Sequence, residues 1–240
     1  MKFLPALLLL VPLCASAQRG DFMLLKEKKW NLGVRIGFDA SLPIVHSLSA
    51  GGEELQSSNQ SYRVGYLAAI SLRAGRDRVF FNPSFAWHRS ESELQFALPQ
   101  NYTPDNAGQN EPAFTNSISV RSSSLELPLL IGYDLVKSNP YRLSVLVGPK
   151  LKYFYKTDYD LDIAEASFCG FVEDKHPGSL SLVAGVDVTI GRLFLDFNYE
   201  FGITRTKTLF TYTLTDIPSP TPLEYERRTN NISFALGFLF

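Results

Sequence analysis

His88 and Ser90 stand two residues apart in the run Trp87-His88-Arg89-Ser90, and a base beside a hydroxyl is the first chemistry this chain suggests. A serine becomes a nucleophile when a base lies within hydrogen-bond reach and a carboxylate orients that base. On an extended segment His88 and Ser90 share a face, and Glu91 and Glu93 take the other. The third member of a triad is therefore not evident, and the expectation is a chain without enzymatic activity, His88 and Ser90 being its catalytic candidates. The chain carries no phosphate-cradling loop, dinucleotide fingerprint or metal-spaced histidine cluster. No metal and no cofactor are expected.

The second chemistry is ionic. Arg35, Arg63, Arg73, Arg142, Lys150 and Lys152 recur on alternate positions of extended segments, against Asp39, Glu126, Asp134, Asp187, Asp196 and Glu200. Both signs occur in equal number on what reads as one inward face. Opposite charges in a narrow interior pair, because unpaired buried charge is costly. Glu126 and Lys150 are expected to pair. Asp187 and Asp196, at equal height on neighbouring segments, are expected to be bridged by an inward arginine, Arg35 or Arg73. Together with Glu200 these form the predicted polar network, read as a plug; a selective pore would show one dominant sign.

The elements that must position these groups are strands. Trp30, Leu32, Val34, Ile36, Phe38 and Ala40 alternate with Asn31, Gly33, Arg35, Gly37 and Asp39, which is the period of a strand with one apolar and one polar face. Seven further segments repeat this, beginning near Tyr62, Val79, Leu125, Tyr141, Leu180, Leu193 and Ile232, and no charge falls on any apolar face. Their connections alternate between a few residues (75–78, 135–140, 191–192) and about twenty (41–61, 98–117, 156–179, 204–229). This predicts an all-β fold, an eight-stranded antiparallel up-and-down transmembrane barrel with short periplasmic turns and long extracellular loops. Trp30, Tyr133, Tyr141 and Phe240 fall near the short-turn end, and Tyr62, Trp87, Tyr153 and Tyr155 near the long-loop end, as two interfacial belts would. Pro83, Pro128 and Pro149 each predict a bulge or local break, since a closed barrel has no edge strand. The Ile217–Pro222 stretch reads as a stiff, extended loop.

Lys2, the apolar run 3–13 and Ala15-Ser16-Ala17 describe a secretory signal peptide over residues 1–17. A periplasmic segment, 18–29, and a barrel domain, 30–240, would follow. Cys14 raises a lipoprotein alternative, against which Leu13 stands in place of a small residue. With Cys14 removed, Cys169 remains alone and no disulfide framework is possible. Net charge is −1, which argues against a nucleic-acid partner.

Two stretches carry family resemblances. The ending Ile232 to Phe240 resembles the last strand of bacterial outer-membrane barrels, which implies that Phe238 and Phe240 belong to an assembly signal read by the barrel assembly machinery. The run Ser124-Leu125-Glu126-Leu127-Pro128-Leu129-Leu130-Ile131-Gly132-Tyr133 resembles a strand of the PorT-like outer-membrane β-barrel family of Bacteroidetes-type bacteria. Glu126, Pro128 and Tyr133 match its pattern, and Gly132 replaces its usual basic residue. The resemblance implies location in the outer membrane, with lipid and lipopolysaccharide as neighbours, and a link to protein export. His88 and Ser90 also resemble part of the catalytic set of outer-membrane lipid A deacylases. The expected function is structural or interactive, through loop-mediated binding of an extracellular partner or support of a secretion system. The alternatives are a lipid A-modifying hydrolase and a narrow channel.

Overall fold

The computed structural model describes residues 29–50, 53–54, 57–96, 116–162, 166–174, 177–214 and 217–240. The signal-peptide reading, Cys14 and most of the 98–117 connection lie outside them. Twelve strands are described: β1 (Trp30–Ala50), β2 (Glu53–Glu54), β3 (Ser57–Tyr62), β4 (Val64–Arg76), β5 (Val79–Phe96), β6 (Asn116–Ser138), β7 (Tyr141–Asp162), β8 (Ala166–Asp174), β9 (Gly178–Ile190), β10 (Leu193–Gly202), β11 (Thr206–Leu214) and β12 (Ile217–Leu239).

Eight of them form an antiparallel ring in the order β1-β4-β5-β6-β7-β9-β10-β12, and β12 returns to β1. The closing ladder runs from Gly33↔Leu239 to Ala50↔Leu223. Closure leaves no edge in the ring, so its backbone N–H and C=O groups pair around the circuit. The tight turns put Asp77 and Gly191 in the left-handed region, each at φ 59°.

The alternation settles which way each strand faces. Ile36, Phe38, Ile70, Phe85, Ile131, Val147, Phe197 and Leu236 are exposed on the outside, while Asn31, Arg35, Asp39, Arg73, Glu126, Asp187, Asp196 and Glu200 are buried inside. Burial of charge and exposure of large aliphatics is inside-out for a water-soluble domain and is what a lipid-facing ring requires. Trp30, Tyr133, Tyr141 and Phe240 are exposed around the short-turn end. Trp87, Tyr153 and Tyr155 are exposed near the other, where Trp87 Nε1 donates to Tyr155 Oη at 2.8 Å.

Several boundaries differ from those expected. β1, β6, β7 and β12 have 21, 23, 22 and 23 residues, about twice the 9–11 that cross a bilayer. Much of what reads as loop is strand. Above the ring β8-β11-β12-β1-β2 form one sheet and β3-β5-β6-β7 another. Leu48 and Tyr225 of the first and Ile118 and Val120 of the second are buried within this collar. The Ile217–Pro222 stretch is not a free loop: it is the start of β12, pairing with β11 from Leu214↔Ile217 to Thr211↔Pro222. Where both strand faces leave the lipid the apolar alternation fades, but the ladder hydrogen bonds persist.

The three prolines break pairing without shifting register. In an antiparallel strand a residue's N–H and C=O point to the same neighbour, so proline disturbs one ladder of two. The β4–β5 ladder lapses between Ser71↔Ser84 and Ala74↔Phe81, beside Pro83. The β5–β6 ladder lapses between Pro83↔Leu129 and Ala86↔Glu126, beside Pro128. The β6–β7 ladder lapses between Pro128↔Lys150 and Ile131↔Val147, beside Pro149, whose other ladder to β9 is unbroken. Register shifts fall elsewhere, at Val45/Ser47, Ser123/Ser124 and Asp134/Val136.

Candidate functional site: the charged lumen

The inward residues of the ring build three tiers. Nearest the short turns, Arg73 reaches Asp134 at 2.7 Å, Asp187 at 3.3 Å and Ser144 Oγ at 2.9 Å. Arg142 lies 3.5 Å from the other oxygen of Asp134. The Arg73 guanidinium also stacks 3.6 Å above the Phe80 ring. That ring lies across Gly132, where a Cβ would overlap it. Gly132 thus makes room for an aromatic plate under a charge supplied by β4.

In the second tier Arg35 bonds Asp196 at 2.5 Å and Ser84 Oγ at 3.1 Å. Asp187 and Asp196 are Cα partners on β9 and β10. No single arginine bridges them: Arg35 takes Asp196 and Arg73 takes Asp187, from opposite sides. The expected one-arginine bridge is corrected to two separate pairs, because two close carboxylates are each neutralised more completely by a cation of their own.

The third tier is a closed square of charge. Lys150 Nζ is 2.5 Å from Glu126 and 2.8 Å from Glu200; Lys152 Nζ is 3.3 Å from Glu126 and 2.6 Å from Glu200. Each carboxylate meets both ammoniums. Asn231 Nδ2 donates to Glu200 at 3.1 Å. Glu126 also meets His88, whose Nδ1 lies 2.9 Å away. His88 Nε2 lies 2.8 Å from Asp39, close enough for an ion pair though poorly aligned for a hydrogen bond.

The sequence reading differs from this in three respects. Arg63, assigned to the inward set, is half-exposed and pairs with Glu91 and Glu93 at 2.6 Å each. The strand breaks at residue 63, so the alternation that placed it inward does not carry through. His88 takes its place in the lumen: the six carboxylates face Arg35, Arg73, Arg142, Lys150, Lys152 and His88. The interior is also not wholly polar. Phe80, Leu130, Leu146 and Val183 form a buried apolar cluster inside the ring. Their signal was present in the sequence as large residues on polar-face positions. Phe194 is likewise buried against Gly237.

Ser90 shares the upper lumen with His88, and its Oγ pairs with Ser122 Oγ at 2.8 Å. Both ring nitrogens of His88 face carboxylates, so in this arrangement the imidazole is spent on ion pairs and is not aimed at the hydroxyl. At the seam, Phe238 and Phe240 meet edge-to-face at 5.2 Å, and Phe240 N donates to Leu32 O at 2.8 Å. Among the described residues no group of three His, Cys, Asp or Glu is arranged to hold a metal.

A family model described as outer membrane protein beta-barrel domain matches residues 16–207. No curated protein matches the sequence. Among solved structures, the outer membrane protein OprG from Pseudomonas aeruginosa superposes with a TM-score of 0.56 at 10% identity, covering 90% of this chain and 99% of that one. AlkL in lipid bilayers gives a TM-score of 0.43 at 12% identity, covering 90% of this chain and 92% of that one. At such identity the OprG likeness speaks for fold alone. The ring is an outer-membrane fold, and its place is the outer membrane.

Proposed function

The chain belongs to the outer membrane protein β-barrel domain family, and on that premise we propose that it is a sealed barrel that works by binding at its extracellular collar. The observation that carries this is the length of its strands. β6 and β12 run for 23 residues each, so roughly half of each stands beyond the bilayer as two-sheet structure. Strands hold a surface in place better than loops do, and a rigid surface loses less entropy on binding. The lumen beneath supports the same reading. Three tiers of paired charge and one apolar cluster fill it, leaving little room for ions or substrate.

Crosslinking in intact cells tests the proposal. A partner captured by the full protein should be lost when 206–222 is replaced by a tight turn, in a variant that still shows folded mobility on unboiled gels. Equal capture by both proteins would refute it.

Support of protein export rests on the resemblance of the Ser124–Tyr133 strand to the PorT-like family. A lipid A hydrolase would rest on His88 and Ser90.

A further inference from the structure

Arg228 lies on β12 where the ring passes into the collar. It is half-buried on the outer face, its guanidinium 4.5 Å above the ring of Phe201, which is exposed on the lipid side. The neighbouring cations are paired: Arg205 lies 3.4 Å from Glu226 and Lys207 lies 2.9 Å from Glu224. Arg228 makes no ion pair and no side-chain hydrogen bond among the described residues. Its Nε is buried without an acceptor, while its two terminal nitrogens keep accessible surface. A guanidinium held flat on an aromatic ring with its donors unused is preorganised for an outside acceptor.

A break in the wall builds the rest of the patch. The β10–β12 ladder ends at Glu200↔Asn231, and pairing resumes on β11 at Thr206↔Arg227. Asn230 is buried in the gap, where its Oδ1 accepts from Gly202 N at 3.1 Å and its Nδ2 donates to Tyr199 Oη at 3.0 Å. A Cβ at Gly202 would collide with the Thr229 carbonyl oxygen, so glycine lets the chain close over Asn230. Tyr199 is an acceptor in this bond, and its own O–H has no acceptor among the described residues. Two unused donors, the Arg228 guanidinium and the Tyr199 hydroxyl, therefore share a patch floored by Phe201.

The height of the patch selects its ligand. From Phe240 to Arg228 is twelve positions, which at about 3.3 Å each and a tilt near 40° makes roughly 30 Å along the barrel axis, just past an apolar band of about 25 Å. A charge at that boundary meets lipid headgroups, and beside the low-dielectric band it is screened less than on an open surface.

We propose that Arg228 and Tyr199 bind a phosphate of an outer-leaflet lipid, lipid A, whose acyl chains run down over Phe201. The guanidinium donates to the phosphate oxygens, as is usual for arginine, and the Tyr199 hydroxyl donates to the same group or to the sugar that carries it. The inference rests on the collar standing outside the cell and is independent of what the collar binds.

The test uses the refolded barrel in phosphatidylcholine nanodiscs, with unboiled-gel mobility as the check on folding. Native mass spectrometry scores retention of bisphosphorylated lipid A, of the same lipid stripped of phosphate, and of phosphatidylglycerol. Saturable retention of the phosphorylated lipid, at least about tenfold weaker in R228Q, as for loss of a hydrogen bond to a charged group, and unchanged in R76Q at the short-turn end, supports the site. Y199F should weaken it by about threefold, as for one neutral hydrogen bond; unchanged retention removes the hydroxyl from the proposal. Equal retention by R228Q, equal retention of the stripped lipid, or a preference for phosphatidylglycerol overturns the proposal. Displacement of lipid A by inorganic phosphate with equal affinity overturns the lipid source. If R228Q does not fold, the comparison of phosphorylated with stripped lipid on the parent barrel decides alone. The orientation is checked apart: Lys156→Cys in a Cys169→Ser background should react with a membrane-impermeant maleimide in intact cells. Reaction only after lysis overturns the outward collar, whereas loss of lipid retention with labelling intact overturns the lipid site alone.

Discussion

Lys150 Nζ stands 2.5 Å from Glu126 Oε2, and the two come from neighbouring strands at the centre of the ring. Their partners make them half of a square rather than a pair, since Lys152 and Glu200 complete the circuit.

That sharing sets the cost of breaking it. Removing one partner of a buried ion pair costs about 3–5 kcal/mol. Lys150→Ala leaves Lys152 within reach of both carboxylates, so the loss should fall at the lower end, about 3 kcal/mol. Lys150→Ala combined with Lys152→Ala should cost clearly more than Lys150→Ala alone. Urea unfolding in detergent, followed by gel mobility, reads both. A single variant as stable as the parent would mean that the square is hydrated.

The wild-type barrel should pass almost no current in a planar bilayer. The tiers leave little open path, and buried opposite charges present a barrier to either sign of ion. Shortening both carboxylates of the third tier, Glu126→Ala with Glu200→Ala, should raise conductance if the protein still folds. Steady, ion-selective current from the unaltered protein would sink the sealed-barrel reading.

Ser90→Ala should leave lipid A unchanged. The Ser90 hydroxyl pairs with Ser122, and His88 is held between Asp39 and Glu126. Mass spectrometry of lipid A from cells with and without the protein provides the measurement. An acyl chain lost only when Ser90 is present would establish the hydrolase. His88→Ala should instead show up in stability, because it strips the imidazole from between two buried carboxylates.

Gly132→Val should destabilise the barrel by about 1–3 kcal/mol, the usual cost of overpacking. The added side chain would enter the Phe80 ring and disturb the plate on which Arg73 lies. The paired change Gly132→Val with Phe80→Ala should recover part of the loss. A single variant with unchanged unfolding would show that the ring can move aside.

Residue types and period two were enough for the ring. Alternation depends on nothing but the pleat, so Trp30 to Ala40 or Leu193 to Ile203 disclose both faces without knowledge of their neighbours. The same local rule put Arg35, Glu126, Lys150, Asp187, Asp196 and Glu200 on the inner face. Pairing across the lumen is different. Glu200 reaches Lys150 from a strand two places round the ring, and Arg73 meets Asp187 from the far wall, which depends on shear, tilt and the width of the closed barrel. Arg63 misled because a single strand break undoes the parity on which its assignment rested, and His88 was hidden because its two carboxylates lie on β1 and β6, on either side of its own sheet position. The collar was hidden for a related reason: once both faces of a strand meet water, only hydrogen bonding to its neighbours marks it as a strand, and those neighbours are chosen by the folded chain.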